Sequence, residues 1–176
     1  MVTFKRLLDI GVQNLLVPYI QTAEEARLAV SYTRYPPHGV RGYAGAPRAS
    51  NYGRVKDYAH LNANELCLLL QVETLQGLEN LEAIAQVDGV DGVFIGPGDL
   101  SAALGHLGNP KHPDVLKAID DAIARIKACG KAPGILTGDE ALAKHYIAQG
   151  CLFVAVGADQ NVLRDSATAL LQKFKS

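Results

Sequence analysis

Short runs of consecutive apolar residues alternate along this chain with longer stretches in which apolar side chains recur every three or four positions. The short runs are Leu15 to Pro18, Leu66 to Glu73, Gly92 to Gly96, Ala132 to Thr137 and Leu152 to Gly157. They are continuously apolar, the pattern of strands covered on both faces in a parallel sheet. The stretches between them carry helix start and stop signals. Thr22, with Glu25 three residues on, predicts a capping box ahead of AEEARLAVSY. Pro113-Asp114 opens a helix whose face Val115, Leu116, Ile119, Ile123, Ile126 repeats at helical spacing until Gly130. Asp139 opens EALAKHYIAQ, closed by Gly150, and two further helices fit Leu78 to Ala85 and Gln160 to Phe174. A helix from Thr3 to Ile10 has no strand before it. Five βα units behind one unpaired helix fit a barrel entered part-way, since a complete (β/α)8 barrel needs about 200 to 250 residues or more. An open doubly wound sheet of five strands fits the same count, and periodicity does not separate the two.

Composition narrows the class. At 176 residues, 48% hydrophobic and 20% charged, the chain is expected to form a single globular domain over 1–176. Lys plus Arg is 17 against 18 for Asp plus Glu, a net charge of -1, so no basic surface invites nucleic acid. The apolar runs fall well short of the roughly 20 residues of a membrane helix. Lys5, Arg6 and Asp9 interrupt the first residues, which therefore do not read as a signal peptide, and the expected location is cytoplasmic. Cys67, Cys129 and Cys151 form no CxxC pair and read as reduced thiols packed like small hydrophobes.

Function in such sheets gathers where strands end and βα loops begin. Two acids stand there. Glu73 closes LCLLLQVE, and Asp99 follows VFIGPG 26 residues later, about one βα repeat. On neighbouring strands, about 4.8 Å apart, their side chains converge and repel unless protonated or bridged by a cation. Oxygen donors suit Mg²⁺ or Mn²⁺, since no His or Cys stands at an equivalent strand end to favour zinc. Gly96 and Gly98 leave backbone open to a ligand, Pro97 fixes the bend, and successive N–H groups there can seat an anion beside the metal. The competing readings are a plain turn in which Asp99 caps DLSAALG, and a solvated Glu73 at a helix start. His38, His60, His106, His112 and His145 lie in loops or on helices, and only His106 is placed to approach the acids. Arg41, in the rigid loop YPPHGVRG, and Arg48 are either contacts for a substrate carboxylate or solvated charges. No phosphate-loop, dinucleotide or serine-elbow motif occurs.

With Glu73 and the Gly-Pro-Gly-Asp turn in place, the chain resembles the HpcH/HpaI family of metal-dependent aldolases throughout its length. The resemblance rests on LLDIGVQNLLVPYIQTAEEARLAV, TRYPPHGVRG, LLLQVET, VDGVFIGPGDLSAALGHLGNPKHPDV and LFVAVGADQ, in that order. KRLLDIG and AALGHLGN most resemble the 2-dehydro-3-deoxy-glucarate aldolase branch. It implies an α/β fold of (β/α)8 TIM-barrel type, of which this chain would hold the last five βα units, and a domain-swapped hexamer. It also implies cleavage of a 2-keto-3-deoxy sugar acid to pyruvate and an aldehyde through a metal-stabilised enolate. By motif, Glu73 and Asp99 match the metal ligands, and Gly98 and Asp99 match the backbone amides that hold the pyruvate carboxylate, with Gly96 and Pro97 in the same loop. The family's catalytic histidine, its partner aspartate and the pyruvate-binding arginine belong to units expected ahead of Met1, so no catalytic residue is assigned here. The expected alternative to a working aldolase is a catalytically silent barrel fragment that binds divalent metal and pyruvate-like acids and self-assembles to cover its sheet edges.

Overall fold

The computed structural model describes residues 1–175. Helix α1 (Val2–Asp9) leads into β1 (Asn14–Val17), α2 (Ala23–Thr33), a long segment carrying the short helix α3 (Tyr58–Leu61), then β2 (Cys67–Val72). There follow α4 (Leu75–Glu79), α5 (Leu81–Ala85), β3 (Gly92–Ile95), α6 (Pro97–Ala103), α7 (Pro113–Ala128), β4 (Ala132–Leu136), α8 (Glu140–Gln149), β5 (Phe153–Ala155) and α9 (Asp159–Gln172). Each expected strand is present; β1 is shifted back by one residue, and the others are trimmed by one or two residues at one or both ends.

All pairings are parallel and the sheet order is β1-β2-β3-β4-β5. A doubly wound sheet reverses its strand order at a switch point. This sheet does not, which decides between the two architectures left open by periodicity. The pairing also steps: Cys67 of β2 faces Asn14, but Leu69 faces Gly92, and Gly92 faces Ala132 while Gly134 faces Phe153. A two-residue advance across β2 and again across β4 is the stagger that curls a sheet toward a barrel.

The core forms where β2, β3 and β4 present Leu68, Leu70, Val72, Val93, Ile95 and Ile135 to the helix layer, which answers with Ile84, Ile119, Ile123 and Ile126, all fully or nearly fully buried. Arg125 of α7 fastens α5, its Nε and Nη2 donating to the two Glu82 carboxylate oxygens at 2.5 and 2.6 Å. That bond holds the Glu82 carboxyl down to about 2.

The caps follow the sequence. Thr22 Oγ1 accepts from Glu25 N–H while the Glu25 carboxylate accepts from Thr22 N–H, and Asp139 Oδ1 accepts from Leu142 N–H at 3.0 Å. Gly150 ends α8 at φ 96°. The single helix expected over Leu78 to Ala85 is two, α4 and α5, meeting at Asn80, whose side chain turns away to donate to Gln21 O at 2.8 Å. No residue of α9 is buried. Among the described residues, no helix is long and apolar enough to cross a membrane.

The segment between α2 and β2 packs at the N-terminal end of the strands. There Arg41 is fully buried, its Nη2 on Asp9 Oδ1 at 2.9 Å and its Nη1 on Asn62 Oδ1 at 3.2 Å, while Arg48 is exposed in a single 3-10 turn. Neither arginine is at the edge where Glu73 and Asp99 stand.

Candidate metal centre

Glu73 is the first residue beyond β2 and Gly96 the first beyond β3. Because Val72 pairs with Ile95, the register sets them side by side, and Gly96 N–H continues the ladder by donating to Val72 O at 3.1 Å. A methyl group at Gly96 would lie 2.3 Å from Glu73 Oε2 and 2.8 Å from Gln71 Nε2. Gly96 is therefore required by the carboxylate that packs over it, whereas Gly98 faces open space.

Glu73 is only 2% exposed. Its Oε1 accepts from Tyr19 N–H at 2.9 Å and its Oε2 from Gln71 Nε2 at 2.6 Å. Tyr19 lies just past the end of β1 with φ 61°, a left-handed conformation uncommon outside glycine, which turns its N–H onto the carboxylate. Three neighbouring strand ends thus supply the surroundings of one acid.

Asp99 comes from the first turn of α6. Helix α6 has Gly96 as its N-cap with no side-chain capping bond, so Asp99 sits inside the turn and does not cap it. Its exposed carboxylate bears on Glu73. Burial pushes the Glu73 carboxyl up from its usual value, and the Asp99 charge adds to this against the bonds from Gln71 and Tyr19 that favour ionisation. The same Asp99 charge, with burial and then Glu73, pushes the Tyr19 phenol up. Among the described residues no lysine or arginine pairs with either acid. Two converging carboxylates without a cation of their own form a hard oxygen donor set, which fits Mg²⁺ or Mn²⁺.

Beside the α6 N-terminus a cavity of about 480 Å³ opens, bounded by Pro97, Gly98, Lys111, Leu136, Thr137 and Tyr146. His106 is not brought to the acids; its ring stacks on His112. Gln71 and Tyr19 were not singled out from the sequence. Gln71 lies two residues before Glu73, on the same face of β2, which is a readable signal; Tyr19 acts through its backbone and leaves none.

The family model for HpcH/HpaI aldolase/citrate lyase matches residues 2–166. The chain belongs to that family. It is 58% identical over 174 residues to a 4-hydroxy-2-oxo-heptane-1,7-dioate aldolase of Klebsiella pneumoniae subsp. pneumoniae, covering 98% of this chain and 66% of the relative. It is 56% identical over 173 residues to a pyruvate aldolase of Rhizobium etli, covering 98% and 68%. A crystal structure of an HpcH/HpaI aldolase/citrate lyase family protein from Burkholderia cenocepacia J2315 superposes with TM-score 0.91 at 40% identity, over 98% of this chain and 68% of that one. Macrophomate synthase superposes with TM-score 0.77 at 26% identity, over 99% and 64%. This HpcH/HpaI chain therefore spans about two thirds of the relatives it matches, and its curled sheet of five βα units is a partial TIM barrel.

Proposed function

We propose that this HpcH/HpaI chain is a metal-dependent pyruvate aldolase. In this reading Glu73 and Asp99 hold Mg²⁺ or Mn²⁺, and the substrate is a 4-hydroxy-2-keto acid cleaved to pyruvate and an aldehyde. The observation that carries it is the buried Glu73 carboxylate, facing a second carboxylate and bonded only to neutral donors. The names of the two relatives above support the substrate class. The KRLLDIG and AALGHLGN segments support 2-dehydro-3-deoxy-glucarate within it.

The divalent ion, when bound, supplies the Lewis acid that favours the enolate left by carbon–carbon cleavage. The chain's own residues prepare for that charge. Tyr19 N–H and Gln71 Nε2 fix the Glu73 carboxylate, and Gly96 keeps the space beside it clear. Intrahelical bonding in α6 starts with Leu100 N–H to Gly96 O, so the N–H groups of Gly98 and Asp99 are free to receive the substrate carboxylate. The open face of Gly98 lets it come close. The neighbouring cavity offers room for the aldehyde portion. In the cleavage the C3–C4 bond breaks and its electron pair passes toward the C2 keto oxygen, the C4 hydroxyl proton leaves to solvent as the aldehyde carbonyl forms, and C3 of the enolate takes up a proton from solvent to give pyruvate.

The reading includes a cytoplasmic homo-oligomer, a domain-swapped hexamer in its full form. The exposed apolar residues Leu16 on β1, Phe153 on β5 and Leu163 and Leu171 on α9 support self-assembly. A second reading, a chain that binds metal and pyruvate without turnover, is favoured by the contacts of Glu73, since neither an amide N–H nor a glutamine side chain acts as a general base.

Pyruvate release from 4-hydroxy-2-oxo-heptane-1,7-dioate and from 2-dehydro-3-deoxy-glucarate, followed with Mg²⁺ or Mn²⁺ and with EDTA, tests both. Release that needs the metal and is lost in Glu73→Gln is expected. Release indifferent to EDTA and to the substitution overturns the assignment, and metal-dependent pyruvate binding without release selects the silent form.

A further inference from the structure

The loop from α6 to α7 folds back on the first turn of α7 and sets two imidazoles face to face. The His106 and His112 rings stack with centroids 3.5 Å apart and planes 13° from parallel. Both are partly buried, and the exposed Asp114 carboxylate reaches them: its Oδ2 is 3.4 Å from His106 Nε2 and 3.5 Å from His112 Nδ1. Asp114 N–H donates to His112 Nδ1 at 3.3 Å, which marks that nitrogen as an acceptor. A carboxylate oxygen facing an acceptor nitrogen at this distance is repulsive unless positive charge shares the space.

One donor atom from each of the three residues lies within 4.8 Å of the other two. Around a tetrahedral Zn²⁺ with bonds of roughly 2.1 Å, donors stand about 3.4 Å apart. Two of the three edges already have that length, and the third closes when the stacked rings open so that both in-plane lone pairs turn toward the ion.

The geometry points to a second cation site, formed by His106, His112 and Asp114, that takes Zn²⁺ or another late first-row divalent ion. Two imidazole nitrogens and one carboxylate oxygen are a borderline donor set that prefers such ions to Mg²⁺, with water completing the coordination. The site differs in kind from the all-oxygen pair Glu73 and Asp99, shares no residue with it, and stands whether or not the aldolase reading does. The partial positive charge at the α7 N-terminus opposes a cation. The full negative charge of Asp114 in that same turn outweighs it. Bound there, the ion ties the loop that leaves α6 to the start of α7, and so braces the βα connection whose other end carries Asp99.

Capping and ring stacking alone also account for the three side chains, and the test separates the two accounts. The full chain is titrated calorimetrically with Zn²⁺ alone in a Glu73→Gln background, and in parallel as the unsubstituted chain saturated with Mg²⁺. Uptake of one equivalent in both is expected, weakened at least tenfold by His106→Gln and by His112→Asn. Asparagine retains a capping side chain at that position, so the second variant keeps α7 intact, as circular dichroism would verify. Co²⁺ in place of Zn²⁺ is expected to give the visible bands of a tetrahedral nitrogen and oxygen site, lost in the same variants. No uptake, or uptake unchanged by both substitutions, overturns the site and leaves His112 as a cap.

Discussion

Two charged side chains are buried at opposite ends of one sheet and are satisfied in different ways. At the N-terminal end Arg41 is fully buried, bonded to Asp9 and Asn62, with its guanidinium 4.5 Å from the centre of the Tyr35 ring. Asp9 is held in turn by Lys5. At the C-terminal end Glu73 is equally deep, yet it receives only neutral donors, and the charge beside it is the like charge of Asp99. Removing an ion from water costs several kcal/mol unless a counter-charge answers it. The titration directions record the difference. Burial raises both carboxyls, but at Asp9 the bonds and charges of Lys5 and Arg41 prevail and leave it below its usual range, while Glu73 ends above. Depth is the same at the two ends; the sign of the neighbours distinguishes a structural ion pair from a candidate cation site.

The largest effect is expected from cutting the Arg41 ion pair. Arg41→Ala removes a buried cation, its stacking on Tyr35 and the partner of Asp9, and should lower stability by about 3 kcal/mol in urea unfolding. Mn²⁺ affinity at the far end should be unchanged, since the two ends share no partner. A parallel fall in affinity would show the ends coupled and break the comparison. Next comes Gly96→Ala, which drives a methyl group to 2.3 Å from Glu73 Oε2. It should cost about 2 kcal/mol through overpacking and, by displacing the carboxylate, weaken Mn²⁺ binding about tenfold or more. Gly98→Ala is the control: its added methyl meets nothing within 4 Å, and the change in stability should stay within about 0.5 kcal/mol. Equal effects of the two substitutions would remove the packing argument for Gly96.

The fold was legible where apolar runs are continuous. The five strands and the capped helices α2, α7 and α8 follow directly from residue type and spacing. Strand order was not legible, because the stagger at Leu69 and Gly134 belongs to pairings between distant segments. The break at Asn80 depends on Gln21, far away in sequence, and the burial of Arg41 on Asp9 likewise. In the candidate site, Glu73 and Asp99 stand out in the sequence because acids at strand ends are conspicuous. Tyr19 was missed because a backbone N–H presented at φ 61° leaves no trace in side-chain chemistry.

The remaining effect has the opposite sign and sharpens the comparison most. Without metal, the folded chain holds a proton on Glu73 more tightly than the unfolded chain does, since its carboxyl is raised above the usual 4.5. Stability therefore falls as pH rises from 4.5 through the folded value and is flat above it, the reverse of Asp9, whose contribution is lost as pH falls below 3.8. Glu73→Gln should erase that slope. The new amide oxygen accepts from Tyr19 N–H, and its NH₂ donates to Gln71 once the Gln71 amide flips to present oxygen. With the bonds kept and the unpaired charge gone, the variant in EDTA at neutral pH should be about 1 kcal/mol more stable than the parent. Saturating Mn²⁺ should reverse the order, because only the parent gains by binding the ion. Urea midpoints with and without Mn²⁺ across this pH range measure both effects. A variant less stable than its parent in EDTA would mean that the chain satisfies Glu73 by itself, and the contrast with Arg41 would fail.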